Sequence, residues 1–251
     1  MDVIQSSLPY DVTLKIASSL PVRDVCALGS CSKFWRELCG SDCIWISLYK
    51  WRWPSLCYSS PVSDNTIKSQ SSDPLFKDWR KLYIGRHNEM AGGAASVVNS
   101  VEQCSSSISL EVGDFLKAIK ELCSLQLGFK DVELFLFKPE LSALLNLIGL
   151  YYCIDWLEVP SDRIMEALES CKITERQVFV KWWKLGRWFF GFRKRDELQS
   201  RLVSLGDLAM AKDDELLRVL RRGAVYEVLR VQISVAQASS LPWVSSRPSI
   251  S

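Results

Sequence analysis

The stretch from Leu8 to Trp53 reads LPYDVTLKIASSLPVRDVCALGSCSKFWRELCGSDCIWISLYKWRW, and its apolar spacing decides what kind of fold the chain begins with. Pro9 suits the first position of a helix, where its missing N–H would go unpaired anyway. Val12, Ile16 and Leu20 recur four apart and so share one helix face. Pro21 stops that helix and starts the next. Val22, Val25, Cys26 and Leu28 give the second helix its apolar stripe, and Phe34, Trp35 and Leu38 give one to a third, closed by Cys39-Gly40-Ser41. Ser41 or Asp42 can cap a fourth helix that carries Ile44, Trp45, Leu48 and Tyr49. So small a group of helices buries too little surface to be secure alone. It leans on the remaining chain, or it leaves an apolar face for a partner.

The same residues resemble an F-box. Leu8-Pro9, the aliphatic ladder behind it, Asp24-Val25 after Pro21, Cys31 to Trp35-Arg36, and Trp45 to Leu48 stand in that motif's order and spacing. The likeness covers roughly the first fifth of the chain and is specific as a whole, whereas one Leu-Pro or Trp-Arg pair is not. Tyr10-Asp11 departs from it where many members carry a different acidic pair. Cys26, Cys31, Cys39 and Cys43 are more cysteine than the motif requires. Neither departure touches the apolar anchors. The resemblance implies that the module docks on the small Skp-type adaptor of a cullin-based ubiquitin ligase while the rest of the chain presents a protein substrate. Leu8, Pro9, Ile16, Leu20, Val25, Leu28, Trp35, Trp45 and Leu48 are then expected to hold the module together or to contact the adaptor. Each such anchor contributes roughly 1.5–3 kcal/mol when fully buried. Phe76 to Tyr83 resembles the segment that follows the F-box in a group of plant members.

Composition fits that reading. The chain has 251 residues, enough for one larger domain or two small ones. Its net charge of +2 does not call for a nucleic-acid or membrane partner. Nine cysteines, an odd number with no close CxxC pair, read as thiols in a reducing compartment. The first residues lack a basic region followed by an apolar run, so no secretory signal is expected. The location implied is intracellular, in cytoplasm, nucleus or both. The longest apolar run, Leu141 to Ile154, is short of the roughly 20 residues a spanning helix needs and reads as a buried core helix.

Taken in order, residues 54–74 are serine-rich with turn residues and read as a linker or surface loop. Phe76 to Met90 keeps a helical rhythm that Gly92-Gly93 is expected to end. Val97, Val98, Val101 and Cys104 form one further stripe, and Phe115 to Leu127 forms a better one with Gly128 as its stop. Asp131 to Phe137 is open between strand and helix. Pro139 opens the apolar helix, Pro160-Ser161 the next, and Thr174 to Gln177 reads as a capping box for another. Leu198 to Met210 and Asp213 to Arg222 supply two more helices, and Val225 to Val235 is again open. The sum is an all-α expectation: a helical F-box module over 1–53, a linker over 54–74, a helical substrate-recruiting region over 75–235 and a disordered tail over 236–251.

Chemistry is sparse. His87 is the only histidine, which removes most zinc sites and Ser-His-Asp triads, and it reads as solvent-facing. The first four cysteines are spaced for no common metal knuckle. There is no Walker loop and no GxGxxG. No cofactor, metal or catalytic residue is expected, so the chain reads as a non-catalytic adaptor.

The distinctive stretch is Arg176 to Arg195, with seven Lys or Arg, no acidic residue and seven Phe or Trp. Read as a helix, it puts Phe179, Trp182-Trp183, Gly186 and Phe189-Phe190 on one core-facing side. Lys181, Lys184, Arg187 and Trp188 then form a candidate partner surface. That surface would attract an acidic protein; a nucleic-acid partner is the less favoured occupant.

Overall fold

The computed structural model describes residues 9–54, 78–104, 109–186, 188–210, 214–222 and 228–236. Leu8, Arg187, residues 55–74 of the serine-rich segment and the tail from 237 lie outside them. The chain divides into two compact units, Met1–Met90 and Ala91–Ser251.

The first unit holds helices α1 (Tyr10–Ser18), α2 (Val22–Cys31), α3 (Lys33–Cys39) and α4 (Asp42–Arg52), and the start of α5 (Trp79–Cys104). Pro9 and Pro21 are the N-caps of α1 and α2, so Pro9 stands one residue before the first helical position at which the sequence placed it. Ser32 caps α3, its hydroxyl accepting from the N–H of Trp35 at 3.4 Å. Val25, Leu38, Ile44, Trp45, Leu48 and Trp53 form the core, with Tyr83 of α5.

The second unit continues α5 and adds β1 (Ser109–Glu111), α6 (Val112–Leu125), α7 (Phe129–Phe135), α8 (Ala143–Asp155) and α9 (Ser161–Ser170). Then come β2 (Gln177–Lys184), β3 (Trp188–Phe189), β4 (Phe192–Arg193), β5 (Glu197–Ser204), α10 (Leu205–Ala209), α11 (Asp214–Arg222) and β6 (Val228–Val235). The chain is therefore mainly helical but not all-α. Four antiparallel strands form a sheet in the order β1-β6-β2-β5, and β3 and β4 form a separate hairpin.

The error lies in the period assigned to Arg176–Arg195. Val178, Val180 and Trp182 are buried, while Phe179, Lys181 and Trp183 between them are half-buried. That is the alternation of a strand with one covered face. Phe179 and Trp182 stand on opposite faces of the sheet. Thr174 and Glu175 form a turn into β2, not a helix cap, and Leu198 to Met210 splits into β5 and the short α10. The two open segments resolve as helix α7 and strand β6.

Three glycine and proline signals also act differently. Helix α5 runs straight through Gly92-Gly93. A Cβ on Gly93 would lie 2.5 Å from Leu125 Cδ2, so this glycine permits close packing against α6 and does not stop a helix. Helix α6 ends at Gln126 in the left-handed region (φ 54°), and Gly128 is the N-cap of α7. Helix α8 starts at Ser142, whose hydroxyl accepts from the N–H of Leu145, and not at Pro139.

Every residue from Ala143 to Cys153 of α8 is buried. Helices α6, α7 and α9 and the inner sheet face (Leu110, Val178, Val180, Trp182, Val231, Ile233) supply the surrounding core. One amide sits within this apolar helix. Asn146 Nδ2 donates to the carbonyls of Leu136 (2.7 Å) and Lys138 (3.1 Å), and its Oδ1 accepts from Arg176, which also donates to the Leu141 carbonyl. Removing a fully buried, satisfied amide leaves its partners unpaired at a cost of about 1–3 kcal/mol each. Asn146→Ala is expected to lower the stability of the second unit by about 2–4 kcal/mol in denaturant unfolding, and a loss within error would remove the amide from the structural account.

Candidate protein-docking surfaces

Helix α1 turns its small side chains inward. Thr13 and Ala17 are buried, and the Thr13 hydroxyl donates to the Tyr10 carbonyl at 2.8 Å. Val12 and Ile16, four apart on an adjoining ridge, are left 39% and 43% exposed, and Tyr10 is 59% exposed. This row of exposed apolar groups on one helix is a candidate interaction face.

The structure sorts the candidate module residues into three groups. Val25, Trp45 and Leu48 are core; the Trp45 indole also donates to the Cys39 carbonyl at 2.8 Å. Leu20, Leu28 and Trp35 are half-buried, with Trp35 edge-on to Phe34 at 5.3 Å between centroids. Pro9 and Ile16 are exposed. The sequence puts Val12, Ile16 and Leu20 on one helix face, but α1 ends at Ser18, so Leu20 lies beyond it and is half-buried, and the inward residues of α1 are Thr13 and Ala17. Their signal was two short side chains four apart beside the apolar ridge.

Sequence reasoning missed the role of Arg52 and Tyr83. The Arg52 guanidinium donates to the Tyr83 hydroxyl at 2.7 Å and lies 4.7 Å from the Trp53 ring centroid. Tyr83 packs edge-on to Trp45 at 5.4 Å. Asp42 accepts from the Trp79 N–H at 3.3 Å. Asp78, held below the usual carboxylate range chiefly by the Lys81 backbone N–H, stabilises the start of α5. These contacts bring α5 into the module despite the long intervening segment.

A cavity of about 270 Å³ in this unit is lined by Val25, Gly29, Cys39 and Trp45 together with Arg36 and Arg80. The Arg80 guanidinium lies 5.6 Å from the centroid of the Trp45 ring. Burial, followed by the proximity of Cys26 and Cys31, raises the Cys39 thiol, which suppresses its thiolate. Among the described residues, no group of three or more His, Cys, Asp or Glu could hold a metal ion. His87 is half-buried where the sequence suggested a solvent-facing group.

In the second unit the candidates Lys181, Lys184 and Trp188 do not form one patch. Lys181 lies on the outer face of the sheet, its ammonium 5.2 Å from the Phe179 ring centroid. Lys184 reaches Glu215 of α11 at 3.3 Å. Trp188 is exposed in the β3–β4 hairpin with Phe190 and Phe192. This hairpin turns on Phe190 and Gly191, both with positive φ (48° and 84°), the backbone of a tight two-residue connection. Its base is pinned where the Gly186 N–H donates to Asp196 at 2.9 Å. That bond and the Arg193 pair hold the Asp196 carboxyl below its usual range. A Cβ at Gly186 would stand 1.8 Å from the Lys194 carbonyl oxygen, so only glycine fits. Reading Leu198 to Met210 as a helix concealed that Leu198 and Leu202 stand on β5, 58% and 53% exposed.

The F-box-like family model matches residues 5–51, the stretch that forms α1 to α3 and most of α4. The chain therefore carries an F-box-like domain there. No curated protein and no solved structure matches the chain. Among the described residues, no helix is long and apolar enough to cross a membrane.

The two classes of residue in this domain separate by experiment. Trp45→Ala is expected to destabilise the first unit by about 3–5 kcal/mol, and Ile16→Asp by less than about 0.5 kcal/mol. Hydrogen exchange over residues 9–54 of the full chain reads both; equal loss of protection in the two variants would show that Ile16 is a core residue.

Proposed function

We propose that this chain is the substrate-recognition subunit of an SCF-type ubiquitin ligase. The F-box-like domain would dock on a Skp-type adaptor and, through it, a cullin scaffold, while the second unit recruits a protein substrate. The observation that carries the reading is the match over residues 5–51 together with the exposed Val12–Ile16 ridge inside it. F-box domains are adaptor modules without chemistry of their own, so ubiquitin transfer belongs to other subunits. The chain's contribution is proximity: a tethered substrate meets the conjugating enzyme at a raised effective concentration. Leu8, Pro9, Ile16, Leu20 and Leu28 are assigned to the adaptor contact, and Val25, Trp45 and Leu48 to the support beneath it. The site of action is the cytoplasm, the nucleus or both.

The alternative, a binding protein that acts through its basic aromatic stretch without a ligase, draws on the exposed Trp188, Phe190 and Phe192. Capture separates the two. A tagged full-length chain is expected to retain purified Skp-type adaptor, and Ile16→Asp to weaken retention at least about tenfold, since a buried aliphatic anchor becomes a buried charge. Failure of the unaltered chain to retain the adaptor, or equal retention by both, contradicts the assignment.

A further inference from the structure

Strand β5 is the edge of the four-stranded sheet. Among the described residues it pairs only with β2, through Gln177↔Ser204 to Lys184↔Glu197. An edge of eight residues presents a row of backbone donors and acceptors that another extended chain can complete. Natural edges are commonly blunted by proline or a bulge; β5 contains no proline, and the register shift in this sheet falls between β2 and β6.

The outer face beside this edge has a definite pattern. Across the register, Leu202 lies next to Phe179 and then Ser234. Ser200 lies next to Lys181 and then Gln232, and Leu198 next to Trp183 and then Arg230. Two rows that are apolar at the edge, Leu202–Phe179 and Leu198–Trp183, thus flank a central row whose cation is Lys181. Arg230 is committed to Glu111 and to the Trp183 ring. Lys181 lies over Phe179, and among the described residues no carboxylate pairs with it. Ser200, standing between Lys181 and the open edge, is small enough for the lysine to reach across it.

We infer that β5 accepts an extended protein segment as a fifth strand, and that this segment carries the pattern apolar-x-acidic-x-apolar. The apolar residues would stand beside Leu198 and Leu202, and the acidic one beside Ser200, within reach of Lys181. Directly opposed cross-strand pairs of this kind contribute roughly 0.2–1 kcal/mol each, and backbone bonding supplies the rest of the affinity. The pattern reads the same in both directions, so either strand polarity satisfies it. A second copy of the chain fits less well. Antiparallel pairing about Ser200 would match Leu198 with Leu202 but place serine, not a carboxylate, beside Ser200, leaving Lys181 unmatched. That the occupant is a ligase substrate rests on the function proposed above; the strand addition itself does not.

The probe is a fluorescein-labelled peptide with a central Leu-Thr-Glu-Thr-Leu, titrated into the full-length chain and read by anisotropy. Its counterparts carry Lys in place of Glu, or N-methyl groups on alternate backbone nitrogens on either edge of the strand. The Glu peptide is expected to bind about tenfold more tightly than the Lys peptide. Lys181→Glu reverses that preference, and the N-methyl series abolishes binding on one edge. Because the charge reversal restores binding of the Lys peptide, a misfolded variant cannot imitate it. Equal affinity for the two peptides, no binding, or tighter binding of a twelve-residue oligothymidine overturns the inference. So does a dimer in light scattering that Leu202→Asp dissociates and the peptide does not. Adaptor retention with no peptide binding removes this inference alone; peptide binding without adaptor retention removes the ligase reading and leaves the strand site standing.

Discussion

The second unit depends on one buried amide. Helix α8 is apolar and enclosed on every side, so its neighbours must be fixed by something more directional than hydrophobic contact. Asn146 provides this. Its nitrogen holds the two carbonyls that turn the chain from α7 toward α8, and its oxygen holds Arg176 at the threshold of β2. Arg176 in turn reaches the Leu141 carbonyl. The amide therefore positions the loop before its own helix and the strand that organises the sheet. Buried polar networks that are fully paired favour one arrangement over many near-equivalent ones. This also changes the meaning of Arg176: the first of the seven cations in its stretch is a structural donor, not part of a charged surface.

The first unit follows a different rule. Its long-range polar contacts, Arg52 to Tyr83 and Asp42 to the Trp79 N–H, only tie α5 to the module, and its distinguishing feature is what it leaves exposed. The inward Thr13 and Ala17 let α1 lie close to α3 and α4, and the longer Val12 and Ile16 are thereby turned out. A helix that buried its largest residues would be the more stable on its own. Exposed aliphatic groups on an ordered scaffold are pre-positioned, which reduces the ordering cost of association. In the strand addition proposed above, the sheet edge of the second unit would use an unfinished surface in the same way, with backbone groups and a single lysine.

The legible parts of the sequence were those with one dominant period and clear boundaries. Pro9 and Pro21 fixed the starts of α1 and α2, and the spacing of Ile44, Trp45 and Leu48 fixed the buried face of α4. The terminal charges of α11 marked that helix to within a residue. The sheet was not legible for an equally physical reason. In Val178 to Trp183, aromatic residues occupy both faces, so spacings of two and of three to four are satisfied together. Only the register with β6 and β5 decides between them, and that pairing joins residues up to about sixty positions apart. Gly92-Gly93 misled because a glycine needed for close helix packing looks, in sequence, like a helix stop.

The central claim is that the ridge on α1 is covered by an adaptor. Hydrogen exchange of the full-length chain, measured with and without purified Skp-type adaptor, tests it most directly. The account predicts added protection across residues 10–20, with exchange in β5 and the β3–β4 hairpin unchanged. Unaltered exchange in α1, or protection confined to the sheet edge, would contradict it.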